Sequence, residues 1–150
     1  MTRKVLGGKD FDIFAGNSMI IVSEATVKIT DNRKVKYVRG VPAGYIDGPV
    51  EGEVTLKLDH QNFLLLQAQA RLAGSWKGIE PFDVSFTASV AAGDLNVDAF
   101  GCMPQLEELL NIKAEGGEEN LFAVKCPITS PDFVHINGVP YLTADEVRNL

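Results

Sequence analysis

The chain is poor in the side chains that carry most protein chemistry. Its 150 residues include two histidines, two cysteines and one tryptophan. Cys102 and Cys126 have neither Cys-x-x-Cys spacing nor a histidine cluster beside them, and only His60 and His135 could join them at a metal. Two small buried hydrophobes in a reducing compartment are the expected state, with a disulfide as the alternative. No run of about 18 apolar residues is present to span a membrane as a helix. "MTRKVLGGKD" is positively charged but has no apolar h-region, so no signal peptide is expected and a cytoplasmic location is the default. Positive charge is scarce: 14 Lys and Arg against 20 Asp and Glu leave a formal net charge of −6. That balance argues against a tight grip on a nucleic-acid backbone, though not against nucleic acid passing nearby. Catalytic motifs are missing as well. There is no Gly-x-Ser-x-Gly elbow. Gly7-Gly8-Lys9 lacks the phosphate-loop spacing and has Asp10 where Ser or Thr should stand. Gly116-Gly117 lies among Glu115, Glu118 and Glu119, which would repel a phosphate, so it reads as a solvated turn.

What is present is alternation. At 45% hydrophobic residues, the chain can bury a core and is expected to form one domain over 1–150. In "VEGEVTLKLD", Val54, Leu56 and Leu58 share a face; in "PFDVSFTASV", so do Phe82, Val84, Phe86, Ala88 and Val90. A period of two with one apolar face predicts half-buried antiparallel strands. A long strand is expected from about Met19 to Thr30, returning through the "DNRK" turn into "VKYVRG" as a hairpin. "DFDIFAG" and "ENLFAVKCPI" are further strands, and "DLNVDAF" should pair back onto the Phe82–Val90 strand. Asn137-Gly138 predicts a type I′ hairpin within "FVHINGVPYL".

One segment breaks the pattern. "HQNFLLLQAQARLA" is rich in helix formers, with Asp59 to cap it and Gly74 to end it, giving a main helix over about 60–73. "MPQLEELL" reads as a second, shorter helix with Pro104 in its first turn. Thr143 and Glu146 stand at capping-box spacing for a last one. The fold class is therefore mainly β: an antiparallel split barrel or two-sheet sandwich, one main flanking helix and one or two short helices.

Candidate chemical residues each have a plainer reading. His60 sits in the first turn of the main helix and His135 on the solvent side of a strand. Asp31, Asp47, Asp59 and Asp94 stand at turns and helix starts, where Asp bonds its local backbone. Glu51 and Glu53 share a strand face and could make a glycosidase dyad, with His135 as a separate hydrolase candidate; exposed strand charges are commoner. Trp76 could anchor a carbohydrate-binding surface with Tyr45; covering a core edge is the simpler role.

The segment Arg39–Val54, "RGVPAGYIDGPVEGEV", is different. Gly40, Gly44, Gly48 and Gly52 recur at even spacing with Pro42 and Pro49 between them. Val41, Ala43, Tyr45, Ile46 and Val50 are apolar, and Asp47 is the only charge between Arg39 and Glu51. Apolar side chains on such a limb mark a contact surface. A wide hairpin loop folded back on its own barrel is the alternative. Residues 1–9 are expected as a flexible N-terminal arm and about 40–52 as an extended assembly loop.

The strings "ATVKITDNRKVKYVRGVPAGYIDGPVEGEVTLKLDHQNFLLL", "AEGGEE" and "ITSPDFVHINGVPYL" resemble a group of small prophage-encoded proteins, themselves similar to tail tube proteins of contractile-tailed bacteriophages. The resemblance spans roughly residues 10 to 142. It implies two packed antiparallel sheets or a split barrel, an architecture similar to that of the type VI secretion tube protein. It implies a non-enzymatic virion structural protein without cofactors, self-assembling into hexameric rings that stack into a DNA-conducting tube. Sheath and baseplate proteins would be its partners, with no membrane and no specific DNA binding. Its place would be the host bacterial cytoplasm during assembly and then the virion tail. By position, the loop that reaches a neighbouring subunit would contribute Val41, Pro42, Gly44, Tyr45, Ile46, Asp47, Gly48 and Pro49. Glu24, Asp31, Glu51 and Glu53 are candidates to face the channel, while Lys28, Lys34, Lys36 and Arg39 would make its sign mixed.

Overall fold

A computed structural model describes residues 11–148 except 17, 91, 92, 111, 113–115, 118 and 119. The expected N-terminal arm at 1–9, Gly7-Gly8-Lys9 and the glutamates at 115, 118 and 119 lie outside the described residues. Among those described, the strands are β1 (Phe11–Ala15), β2 (Ser18–Ile20), β3 (Val22–Asp31), β4 (Lys34–Val38), β5 (Val41–Ile46) and β6 (Val50–Leu58). After helix α1 (His60–Ala73) come β7 (Phe82–Val90), β8 (Gly93–Cys102), β9 (Gln105–Glu108), β10 (Phe122–Pro127), β11 (Val134–Ile136), β12 (Val139–Pro140) and helix α2 (Ala144–Val147).

Two antiparallel sheets carry the fold. One has six strands in the order β12-β11-β8-β7-β1-β2, the other four in the order β3-β6-β10-β9. Their inner faces are the apolar sets that alternation selects. Val54, Leu56, Leu58, Val124 and Cys126 from the four-stranded sheet meet Ile13, Val84, Phe86, Ala99 and Cys102 from the other. Cys102 and Cys126 are free, and burial pushes both thiols up to about 12, so they pack as small hydrophobes.

Helix α1 begins directly after β6 because Asp59 accepts the Asn62 backbone N–H at 2.9 Å, and it ends where the Gly74 N–H closes onto Arg71. It turns Phe63 and Ala70 inward. The Phe63 ring lies between Phe122 at 4.1 Å and Trp76 at 5.2 Å, so Trp76 does cover the core edge. The full capping box at Thr143 and Glu146 is formed and starts α2.

Three expectations are overturned. The Met19–Thr30 strand is split at Ile21: β2 stays beside β1, while β3 crosses to the four-stranded sheet. An α1 side chain stitches the crossing, as the Ile21 N–H donates to Asn62 Oδ1 at 3.1 Å. Next, β3 does not form a hairpin with β4. It pairs with β6 from Val22↔Leu58 to Asp31↔Val50, and β4 pairs with β5. Asn32 does not close a turn, because its N–H and its side-chain amide both donate to the Pro49 carbonyl, which ties the two stem strands together and sends the chain outward. Much of the expected 40–52 loop is therefore strand. Lastly, "MPQLEELL" is not helical; Gln105–Glu108 is β9, with Leu106 opposite Val124 on the edge of β10. Tertiary pairing with an open edge outweighs a helix propensity of at most ~0.7 kcal/mol per residue.

Candidate assembly surface

Beyond Asn32 the chain leaves the sandwich as a two-stranded arm. Every residue of β4 and β5 is exposed. Arg39 and Gly40, both at positive φ (53° and 77°), make the two-residue turn between Val38 and its partner Val41. Paired residues share a face. Val35 stands opposite Tyr45 and Tyr37 opposite Pro42, across a bulge in β5. One face of the ribbon is thus Val35, Tyr37, Pro42 and Tyr45. The other carries Val38, Val41 and Ile46 with Lys34 and Lys36. Both faces are apolar enough to need cover, and an isolated two-stranded hairpin is marginal in water.

The sequence-derived contact residues divide in two. Val41, Pro42, Gly44, Tyr45 and Ile46 belong to β5 and stand free, and Asp47 is exposed beside them. Gly48 and Pro49 instead build the root, packed against and bonded to Asn32. Sequence reasoning left the β4 half, Val35, Tyr37 and Val38, out of the contact set. The signal was there: apolar residues on both sides of Arg39-Gly40, at matching distances from the turn.

The root is clamped. Asp31, the last residue of β3, accepts from the Arg33 backbone N–H at 3.0 Å and from Arg33 Nε at 3.0 and 3.1 Å. Tyr141 Oη donates to its other side at 2.8 Å. Those bonds, the Arg33 side chain first, hold the Asp31 carboxyl down at about 2, and donating to Asp31 raises the Tyr141 phenol. Tyr141 follows β12, and its N–H donates to the Val134 carbonyl, so the clamp ties the arm's base to the six-stranded sheet.

The two sheets present unlike faces to solvent. On the four-stranded sheet Glu24, Lys28, Glu51, Glu53, Lys57 and Lys125 alternate with the buried set. Glu24 pairs with Lys57 at 3.2 Å and Glu53 with Lys125 at 3.5 Å, and Lys28 stands opposite Glu53. On the six-stranded sheet Asp12, Asp83, Asp94 and Asp98 alternate with Ser85, Thr87, Ser89 and Asn96, and its strands contain no Lys or Arg. Among the described residues, β3 and β9 each have a partner on one side only, so both flanks of the four-stranded sheet are open.

Of the candidate catalytic residues only Glu51 and Glu53 lie together, on one face of β6. Glu51 and Glu53 lie on the four-stranded sheet, with Glu53 paired to Lys125 and Thr55. His135 lies on the other sheet, opposite Asp98 and edge-on to Phe100 at 4.7 Å. His60 is exposed in the first turn of α1, 6.5 Å from the Phe122 ring. Trp76 stacks on the core, and Tyr45 is on the arm at the opposite end of the strands.

Residues 9–142 match the protein family described as Bacteriophage HP1, Orf24. The chain is 37% identical over 145 residues, 97% of each sequence, to a candidate tail tube protein of Haemophilus phage HP1 (strain HP1c1). Among solved structures, it is similar to the tube-terminating cap of the anti-feeding prophage, with a TM-score of 0.68 at 13% identity over 91% of this chain and 93% of that one. It is also similar to a chain of the PVC sheath–tube complex of an extracellular contractile injection system in the extended state. There the TM-score is 0.63 at 13% identity, over 88% of this chain and 90% of that one. At such identities the likeness establishes a shared fold.

Proposed function

The chain belongs to the bacteriophage HP1 Orf24 family and is a tail-tube-like structural protein, and from that premise we propose that its copies close into rings, six to a ring, that stack into a DNA-conducting tube. The observation that carries this reading is the arm: a ribbon apolar on both faces, exposed along its whole length and with no core of its own. A second copy supplies the cover. The open flanks at β3 and β9 support side-by-side pairing, since unpaired edges invite another strand and a ring satisfies every edge at once.

The four-stranded sheet is then the channel wall. Its solvent face is polar and its charges are of both signs, neutralised across strands. Such a wall sets up little net field, so duplex DNA is neither held nor strongly repelled. The acid-only face of the six-stranded sheet lies outside, toward sheath and baseplate proteins. Val41, Pro42, Gly44, Tyr45, Ile46 and Asp47 contact the neighbouring subunit, while Gly48 and Pro49 set the arm's departure. No reaction is catalysed; the engagement of Glu53 by Lys125 and Thr55 supports this. The protein assembles in the host bacterial cytoplasm and resides in the virion tail.

Electron microscopy and sedimentation of the purified chain over a range of concentrations test the proposal. Six-fold rings or tubes are expected. A protein that stays monomeric at every concentration and ionic strength would overturn it.

A further inference from the structure

The core is covered unevenly. Val54, Leu56 and Leu58, the inward residues of β6, are at most 3% exposed. Val22, Ala25 and Val27 of the neighbouring β3 pack against the same core but are only half-buried. So are Phe11, Leu95 and Val97 across from them. These side chains line a cleft of about 920 Å³ between the two sheets, where the chain crosses from β2 to β3. No α1 residue lines it. Two backbone edges border it. Among the described residues, β3 has a partner on one side only, and β2 pairs with Ile13, Phe14 and Ala15 but not with Phe11 or Asp12. Among those residues, Asp12 and Glu24 are the only charged groups on the cleft. Glu24 has Lys57, whereas no described cation pairs with Asp12, whose sheet has no Lys or Arg in its strands.

We propose that residues 1–6 fold back at Gly7-Gly8 and strap this cleft shut in the free subunit. The segment lies outside the described residues, and it joins them at the cleft itself, since Phe11 is one of the lining residues. Gly-Gly is a favoured dipeptide for a two-residue reversal. With the turn there, Leu6 returns level with Lys9, Val5 with Asp10, Lys4 with Phe11 and Arg3 with Asp12. The four returning residues span about 13 Å, enough to reach the rim of the cleft. Val5 and Leu6 then give apolar cover to the Phe11–Leu95 end. Arg3 and Lys4 bring to Asp12 the positive charge that its own sheet lacks. The same strap stands across the open edge of β3 and screens it from other strands. The proposal concerns the single subunit and does not depend on ring formation.

Cross-linking of the full-length chain tests this, at dilutions where sedimentation shows monomers. Val5→Cys is combined either with Val27→Cys in the cleft or with Thr87→Cys. Thr87 lies directly across from Asp12 on the outer face of the six-stranded sheet, within equal reach of an undocked segment. The native thiols are buried and do not compete. A short bis-maleimide should join positions 5 and 27 within one chain at least tenfold more often than positions 5 and 87, read by peptide mass spectrometry. Equal yields would mean that the segment does not dock, and a 5–27 link between two chains would mean that a second copy fills the cleft; either overturns the proposal. A second reading leaves the core untouched. Asp12→Lys, at an exposed position, should speed tryptic cleavage after Lys4 at least threefold without moving the urea midpoint. An unchanged cleavage rate also overturns it.

Discussion

Two hairpins of this protein share their local chemistry and differ in everything else. Val38–Val41 and Ile136–Val139 are each closed by a two-residue turn with both φ values positive: Arg39-Gly40 in one, Asn137-Gly138 in the other. The second hairpin is stitched into the six-stranded sheet, where β11 pairs with β8 and buries Val134. The first pairs with nothing further and buries nothing. A turn motif folds a ribbon back on itself; whether the ribbon gains stability depends on a third strand and an apolar floor. Among the described residues the arm has neither, and that incompleteness is why we propose it as the assembly surface.

The largest contrast lies between the core and the arm. Phe63→Ala removes a buried ring stacked on both sides and should cost about 3–5 kcal/mol in urea denaturation. Tyr37→Ala, on the exposed arm, should change protomer stability by less than ~0.5 kcal/mol and yet weaken assembly measured by sedimentation. A large stability loss for Tyr37→Ala would show that the arm is part of the core after all. Next in size is Gly52→Ala, since a Cβ there would lie 2.5 Å from Ile128 and 2.7 Å from the Phe133 ring; a loss of about 1–3 kcal/mol is expected by the same denaturation.

The sharpest test is a matched pair. Gly40→Ala and Gly138→Ala each place a side chain at a φ near 80° with open space around it, so the local strain of about 1–2 kcal/mol is the same. Only Gly138→Ala should shift the urea midpoint, because only its hairpin unfolds together with a sheet. Equal shifts would dissolve the comparison. The smallest effect concerns the clamp. With its folded-state carboxyl at about 2 against an ordinary 3.8, Asp31 contributes stability above about pH 4 that fades as pH falls toward 2. Asp31→Asn should flatten that limb of the acid denaturation curve. It should also return the raised Tyr141 phenol toward its ordinary value in an ultraviolet titration; an unmoved phenol would mean that the clamp is open in solution.

Legibility followed the range of the interaction. The Phe82–Val90 alternation, the Asp59 cap, the Asn137-Gly138 turn and the Thr143–Glu146 box are contacts within a few residues, and each formed where its spacing placed it. The errors lay in which strands pair, in the break at Ile21 and in reading β9 as a helix. β3 has alternation suited to β4 or β6 alike; the Asn32–Pro49 bonds decide for β6, and they join positions 17 residues apart. Leu106 reads as part of a helix until β10 offers an edge. The apolar character of Val41–Ile46 was visible, and so were the matching apolar residues before Arg39-Gly40, but the Tyr141 clamp was not, since 110 residues separate Tyr141 from Asp31.

By itself, then, the amino-acid order determined which residues turn inward, where the main helix starts and stops, and that an apolar segment lacks a place in the core. Periodicity and capping act over one to four residues, so they are written locally. Only the tertiary structure decided which strands pair, that the segment stands out as a ribbon, and that the two sheets show solvent faces of different charge. Those outcomes depend on closing long loops, where many partners compete on nearly equal local terms and the shared core selects among them.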